Sequence, residues 1–211
     1  GCNHPFFISG ANMERADFAV GICFPCGGYV PWRTTMSLAR TVHALAVAGV
    51  PVNIHAVAES SDVCIARDVV LTNYLAEKEK FAFWVDSDMT WTPDDFIRVM
   101  RLAKGLGVVC ATYPLKREPE QCVVNFVEDA DPHPTGCVEI IGTGLGFTCV
   151  RRDIIDAFAA TKESMVHDGT CKLILDAFYR PRKRHADGKI HAGVRQTRYW
   201  PAVQKKRKPK K

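Results

Sequence analysis

The sequence predicts an α/β domain, Rossmann-like, with a mostly parallel central sheet flanked by helices. Three observations predict it. Short apolar runs alternate with helically spaced segments along residues 18–160, the pattern of a sheet whose strands are joined by crossover helices. Phe81–Val85 is five consecutive apolar residues, as in a strand covered on both faces. The helical segments carry their own start and stop residues, such as Thr92-Pro93 and Gly49.

The elements follow in order. Phe18–Phe24 is a strand ending in the loop Pro25-Cys26-Gly27-Gly28. From Thr34 to Ala48, Leu38, Val42, Leu45 and Ala46 recur at helical spacing, and Gly49 and Pro51 end the helix. Val52–Val57 is a second β-rich run, Ile65–Ala76 a second helix, and Phe81–Val85 the third strand. Thr92 is a helix N-cap, Pro93 suits the first turn, and Asp94 and Asp95 favour the positive end of the helix dipole, so a helix is expected from Pro93 to Lys104, stopping at Gly105. Val108–Tyr113 reads as another buried strand. Residues 114–137 are polar and hold Pro114, Pro119, Pro132 and Pro134, which suits a loop or a short antiparallel excursion. Val138–Ile141 and Phe147–Val150 flank the turn Gly142-Thr143-Gly144-Leu145-Gly146, which is either a loop flexible enough to bring backbone donors close to a ligand or only a hairpin turn; Arg152–Ala160 is helical. Residues beyond Tyr179 show no element.

Charge divides the chain. Residues 180–211 hold 13 Lys or Arg against one acid, Asp187, whereas the other 179 residues hold 15 basic against 22 acidic side chains. The body is acidic and the end is a basic tail, either a solvated terminus or a contact for a polyanion such as DNA. Residues 1–17 are read as an N-terminal extension, 18–179 as the folded domain and 180–211 as the tail. No apolar stretch is long enough to span a membrane. Nine cysteines without a dense framework fit reduced thiols and a cytoplasmic location. Cys23-Phe24-Pro25-Cys26 reads as a redox pair, half of a zinc site, or a chance spacing.

The chemistry concentrates at Trp84-Val85-Asp86-Ser87-Asp88-Met89, two acids at the end of a buried strand. If strand geometry continues to residue 88, its period of two places both carboxylates on one side, where a hard cation such as Mg²⁺ or Mn²⁺ would relieve their repulsion. The bland alternative is an aspartate capping a turn. Arg67, in Cys64-Ile65-Ala66-Arg67-Asp68, is placed either to bind a phosphate or to pair with Asp68 or another acid.

In sequence order, Arg67-Asp68, then Phe83 through Met89 with Trp91 and Pro93, then Val108–Tyr113 with Pro114-Leu115-Lys116, then Gly142-Thr143-Gly144 with Phe147 through Arg152-Asp153, resemble the nucleotide-sugar-dependent glycosyltransferases of the GT-A fold. The chain is particularly similar to small viral and bacterial members, over residues 18–160. The resemblance implies a single GT-A domain in which Asp86 and Asp88 hold Mn²⁺ or Mg²⁺ on the donor diphosphate, with Asp88 also at the catalytic centre and Ser87 between them on the donor. It implies that Pro25, Gly27 and Tyr29 lie in the loop receiving the nucleotide base, that Arg67 contacts the donor, and that Thr143 and Gly144 lie beside the sugar and acceptor. Such relatives continue to a Glu-Asp motif and a C-terminal His-x-Gly that completes the metal site. This chain has no Glu-Asp pair after Asp153. Asp168 and Asp176 remain as candidates for the base, and His191-Ala192-Gly193 matches His-x-Gly by a pattern that arises as readily by accident.

The expected activity is metal-dependent transfer of a sugar from a nucleotide diphosphate donor, a UDP-sugar first, to a hydroxyl acceptor such as a hydroxymethylated DNA base. The alternatives are a catalytically degenerate nucleotide-sugar fold binding nucleic acid through its tail, a carbohydrate- or polysaccharide-directed transferase, and a metal-dependent phosphoesterase or nuclease, which would need more acids and histidines around the pair.

Overall fold

The computed structural model describes residues 18–58, 60, 62–113, 122, 124–162, 164–167 and 172–175. The elements run β1 (Val20–Pro25), α1 (Trp32–Val47), β2 (Val52–Val57), α2 (Val63–Leu75), β3 (Phe81–Val85), α3 (Pro93–Leu106), β4 (Val108–Cys110), β5 (Val124–Phe126), β6 (Ile140–Thr143), β7 (Phe147–Arg151), α4 (Arg152–Ala159), β8 (Ser164–His167) and β9 (Lys172–Leu175). The architecture is α/β. Its main sheet has five strands in the order β2-β1-β3-β7-β4.

The sheet is mixed rather than mostly parallel. β1 pairs in parallel with β2 and β3, but β7 runs antiparallel to both β3 and β4. The reason lies in connection length: β4 reaches β7 through two short antiparallel strands and a turn instead of a crossover helix, and only such a helix returns the chain in the same direction. β5 and β6 form a separate two-stranded ladder, as do β8 and β9. The polar segment after β4 thus does make an antiparallel excursion. Gly142–Gly146 does not close a hairpin, because β6 and β7 belong to different sheets. The strand expected over Val108–Tyr113 is limited to Val108–Cys110, and α3 runs past Gly105 to Leu106, ending at Gly107. β8 and β9 are absent from the sequence reading altogether.

Alternation along β3 builds two cores. Phe81, Phe83 and Val85 point to the side of α1 and α3, where they meet Leu45, Phe96, Val99 and Met100. Ala82 and Trp84 point to the other side, against Val70, Leu71 and Tyr74 of α2 and Ile155 and Phe158 of α4. All five residues of β3 are buried, as its unbroken apolar run requires. Phe83 stacks on Phe96 with ring centroids 3.7 Å apart, and Phe147 meets Phe83 edge-on at 4.9 Å. Cys23 and Cys26 fall in opposite cores. Three residues apart along one extended segment, they face different sides of the sheet, so the C-x-x-C spacing makes neither a dithiol pair nor half of a metal site.

Two local devices fix the segment after β3. Thr92 caps α3 with a reciprocal box, its hydroxyl accepting from the Asp95 N–H at 3.2 Å while the Asp95 carboxylate accepts from the Thr92 N–H at 3.0 Å. Trp91 is locked to α1: its indole N–H donates to Thr41 at 2.9 Å, and Ser37 donates to its carbonyl at 2.8 Å. The chain leaving β3 therefore runs between two rigid helices. Among the described residues no helix is long and apolar enough to cross a membrane.

Candidate functional site

Asp86 is the first residue beyond β3. By alternation it follows Ala82 and Trp84 toward the α2 side, and α2 supplies its partner: Nη2 of Arg67 donates to Oδ1 of Asp86 at 3.0 Å. Arg67 is mostly buried, with 15% of its side chain exposed, and Asp86 retains 32%. The helix that presents Arg67 starts at Asp62, whose carboxylate accepts from the N–H groups of Cys64 and Ile65 at 2.8 and 3.4 Å. This cap sets the helical phase and hence the direction in which Arg67 leaves α2. The acid that Arg67 is seen to pair with is Asp86; Asp68, on the same helix, is fully buried.

The second oxygen of Asp86 faces the glycine turn. The Asp86 N–H donates to the Gly146 carbonyl at 3.0 Å, adding one rung to the β3–β7 ladder. The Gly146 N–H donates to the hydroxyl of Tyr113 at 3.1 Å, and Tyr113 arrives on the segment leaving β4, held by the Ala111 N–H on the Phe147 carbonyl at 3.0 Å. A Cβ added at Gly146 would lie 2.5 Å from the Tyr113 hydroxyl and 2.8 Å from Oδ2 of Asp86. Only glycine lets these two polar groups meet over that backbone. Burial pushes the Tyr113 phenol above its usual range and the Asp86 carboxylate pushes it the same way, so at neutral pH Tyr113 keeps its proton and can donate it.

Strand geometry does not continue to residue 88. β3 ends at Val85, and residues 86–89 form a turn closed by the Met89 N–H on the Asp86 carbonyl at 3.1 Å. The alternation expected to align Asp86 with Asp88 therefore stops between them; Asp86 is half-buried, and Asp88 is exposed on the turn with Ser87 between them. What joins the two aspartates is one tight turn at the carboxyl end of the central strand.

Of the other expected residues, Pro25 closes β1 and is buried, while Gly27 and Tyr29 lie on the exposed loop beyond it, Tyr29 being 78% exposed. That loop lies beside the α2 entry, since a Cβ at Gly27 would sit 3.7 Å from the Ser60 carbonyl. Thr143 ends β6, and the Gly144 carbonyl accepts from the Thr148 hydroxyl at 3.2 Å. Thr143 also bonds the Cys110 thiol, which ties the second ladder to the end of β4; burial nonetheless raises that thiol. Asp168, Asp176, Glu163, His191 and the whole tail 180–211 lie outside the described residues, as do residues 1–17 and Pro114-Leu115-Lys116.

Sequence reasoning did not single out Tyr113 and Gly146. Their available signal was local: a tyrosine-proline step directly after a buried strand, and the glycine that opens β7.

A cation of the Mg²⁺ or Mn²⁺ kind fits the donors present. Asp86 and Asp88 offer hard carboxylate oxygens on one turn, and Oδ2 of Asp86 is not the oxygen held by Arg67. Among the described residues no three His, Cys, Asp or Glu side chains gather into a cage. Mg²⁺ is commonly held by one or two carboxylates together with phosphate oxygens of a ligand. Arg67 adds a second feature: its Nε is buried with no hydrogen-bond partner among the described residues, so the guanidinium has donor capacity beyond its bond to Asp86.

No protein-family model matches the chain, and comparison with curated proteins finds no significant match.

Proposed function

We propose that this chain is a metal-dependent glycosyltransferase of the GT-A type, moving a sugar from a UDP-sugar or related nucleotide diphosphate donor to a hydroxyl acceptor. The observation that carries the reading is the half-buried Asp86 at the carboxyl end of the central strand, paired with Arg67 and backed by the Gly146 turn. In open α/β sheets that edge is where ligands collect.

The residues divide the work. Asp86 and Asp88 would hold the cation, which supplies positive charge to the diphosphate as the sugar departs. Arg67 contributes the same sign of charge from the protein side, and its unsatisfied Nε–H supports a phosphate oxygen as a further acceptor. The interaction grows as negative charge develops on the leaving diphosphate, so it favours the transition state over the bound donor. The Gly146 carbonyl holds the Asp86 backbone and Arg67 holds its carboxylate, with Tyr113 anchored on the Gly146 N–H, and a fixed carboxylate needs no reorganisation when the donor binds. In this reading the loop bearing Gly27 and Tyr29 would receive the nucleotide base, and Thr143 with Gly144 would lie beside the sugar and acceptor. The basic segment 180–211 favours a polyanionic acceptor, such as DNA carrying a hydroxymethylated base.

One observation favours a second reading, the degenerate fold. Arg67 neutralises Asp86 directly, as a purely structural ion pair would. Product analysis separates the two: incubation with a panel of sugar nucleotides, Mn²⁺ and candidate acceptors, including hydroxymethylated DNA and simple sugars, should give an acceptor heavier by one sugar. Nucleotide binding without any such product supports the degenerate fold.

A further inference from the structure

Helix α1 has an exposed face that the site above does not use. Trp32 is 69% exposed and Met36 41%, and Arg33 and Arg40 are exposed beside them. Together with Thr90, Thr92 and the edge of Trp91 they line a shallow groove between α1 and the segment leading into α3. The Arg33 guanidinium stands 5.8 Å from the centre of the Trp32 ring. No aspartate or glutamate occurs in α1. Asp95 also lines the groove, but its carboxylate is committed to the N–H and hydroxyl of Thr92 at 3.0 and 2.7 Å.

We infer that this groove binds a single-stranded nucleic acid, with its phosphates on Arg33 and Arg40 and a base on Trp32. Charge selects the occupant: two exposed guanidinium groups, with no uncommitted acid beside them among the described residues, on a body that is otherwise acidic, attract a polyanion to one strip. The indole selects among polyanions. With the ring 69% exposed and the Arg33 guanidinium over one face, the indole offers its remaining exposed surface as a stacking platform for a flat base, and bases reach such a platform when the strand is unpaired. Arg33 and Arg40 are separated by two turns on one side of the helix, a rise of about 10 Å, so they engage separate phosphates. A second copy of this chain is disfavoured, because a symmetric contact would oppose arginine to arginine. The far wall, Thr90–Thr92, follows in sequence on the Asp86–Met89 turn, while Asp86 itself faces Arg67 of α2. The meaning of a bound strand as an acceptor rests on the transferase reading; the binding itself does not.

The test is fluorescence anisotropy of a labelled oligodeoxythymidylate with the full chain over a series of salt concentrations. Arg33→Glu with Arg40→Glu should weaken binding at least about tenfold and lower the slope of log K against log salt by about 1.4, two single-strand phosphates at about 0.7 each. Arg33→Gln with Arg40→Gln should show the same change in slope with a smaller loss. Trp32→Ala should weaken binding about fivefold to a hundredfold without changing the slope, and Trp32→Phe should restore most of it. Unchanged affinity and slope in the arginine variants would overturn the inference and leave any DNA binding to residues 180–211. Loss of binding to anionic vesicles with oligonucleotide binding intact would assign the face to a membrane surface instead. Loss of self-association in Trp32→Ala, again with oligonucleotide binding intact, would assign it to a second copy. Stabilisation by UDP and Mn²⁺ is measured on the same proteins. If it is absent throughout while the arginine variants still lose the oligonucleotide, the transferase reading fails and the nucleic-acid groove stands.

Discussion

The backbone N–H of Asp86 donates to the carbonyl of Gly146 at 3.0 Å, one residue past the end of β3 and one residue before the start of β7. This bond fastens the carboxylate-bearing turn to the glycine turn, and the reversed direction of β7 is what makes it possible. A parallel neighbour would have brought the opposite end of its strand to this edge.

Gly146→Ala tests that contact. The new methyl would meet the Tyr113 hydroxyl and Oδ2 of Asp86 well inside contact distance, so one of them must move. Overpacking of this kind costs about 1–3 kcal/mol. Thermal unfolding should show that loss, and metal-dependent nucleotide binding should fall further than in Tyr113→Phe, which removes only the hydroxyl.

Arg67→Ala leaves Asp86 half-buried without its charged partner. A hydrogen bond to a charged group contributes about 1.5–3 kcal/mol, and the exposed side of Asp86 places this one toward the lower end. Urea unfolding should report a loss near that size. Asp86→Asn should be milder for stability, because the amide oxygen still accepts from Arg67, yet it should abolish metal dependence. The opposite ranking would mark Arg67 and Asp86 as a structural pair only.

Stability should fall in alkali. Burial holds the thiols of Cys23 and Cys149 and the phenol of Tyr74 well above their ordinary values; Glu79 adds to the effect at Cys23, while Arg152 opposes it at Tyr74. These groups stay neutral when folded but ionise in the unfolded chain, thiols near about pH 8.5 and phenols near about pH 10. Their contribution is complete below those values and is lost as pH rises toward the folded-state values. Urea midpoints measured from pH 7 upward should therefore decline beyond about pH 8.5, and Cys149→Ala should flatten the decline while lowering stability overall.

Phe96→Ala should cost about 3–5 kcal/mol, as for other large aromatic truncations in a core, since Phe96 is fully buried and stacked on Phe83. Calorimetry of the variant gives the value. A loss below about 1 kcal/mol would mean that the β3–α3 core is far looser than the close packing usual in protein interiors.

Much of the fold was legible in the sequence because its strongest signals are local. The uninterrupted run Phe81–Val85 and the Thr92-Pro93-Asp94-Asp95 cap each place an element without reference to the rest of the chain. Strand order and direction were not legible: β7 looks like any other apolar run, and only its insertion between β3 and β4 shows that it is reversed. The candidate site divides in the same way. Asp86 was visible as an acid beyond a buried strand. The Asp86–Asp88 alignment was not, because strand periodicity says nothing about where the strand stops. Tyr113 and Gly146 each carry a local signal, but that Gly146 meets both Tyr113 and Asp86 is a tertiary fact that local pattern does not encode.

The most direct test of the central claim is isothermal titration of UDP into the protein with and without Mn²⁺, repeated on Asp86→Asn. Binding that requires Mn²⁺ in the natural chain and disappears in Asp86→Asn, while the variant remains folded, is the predicted result. Equal UDP binding with and without the ion, or an Asp86→Asn variant that binds as well as the natural chain, would contradict it.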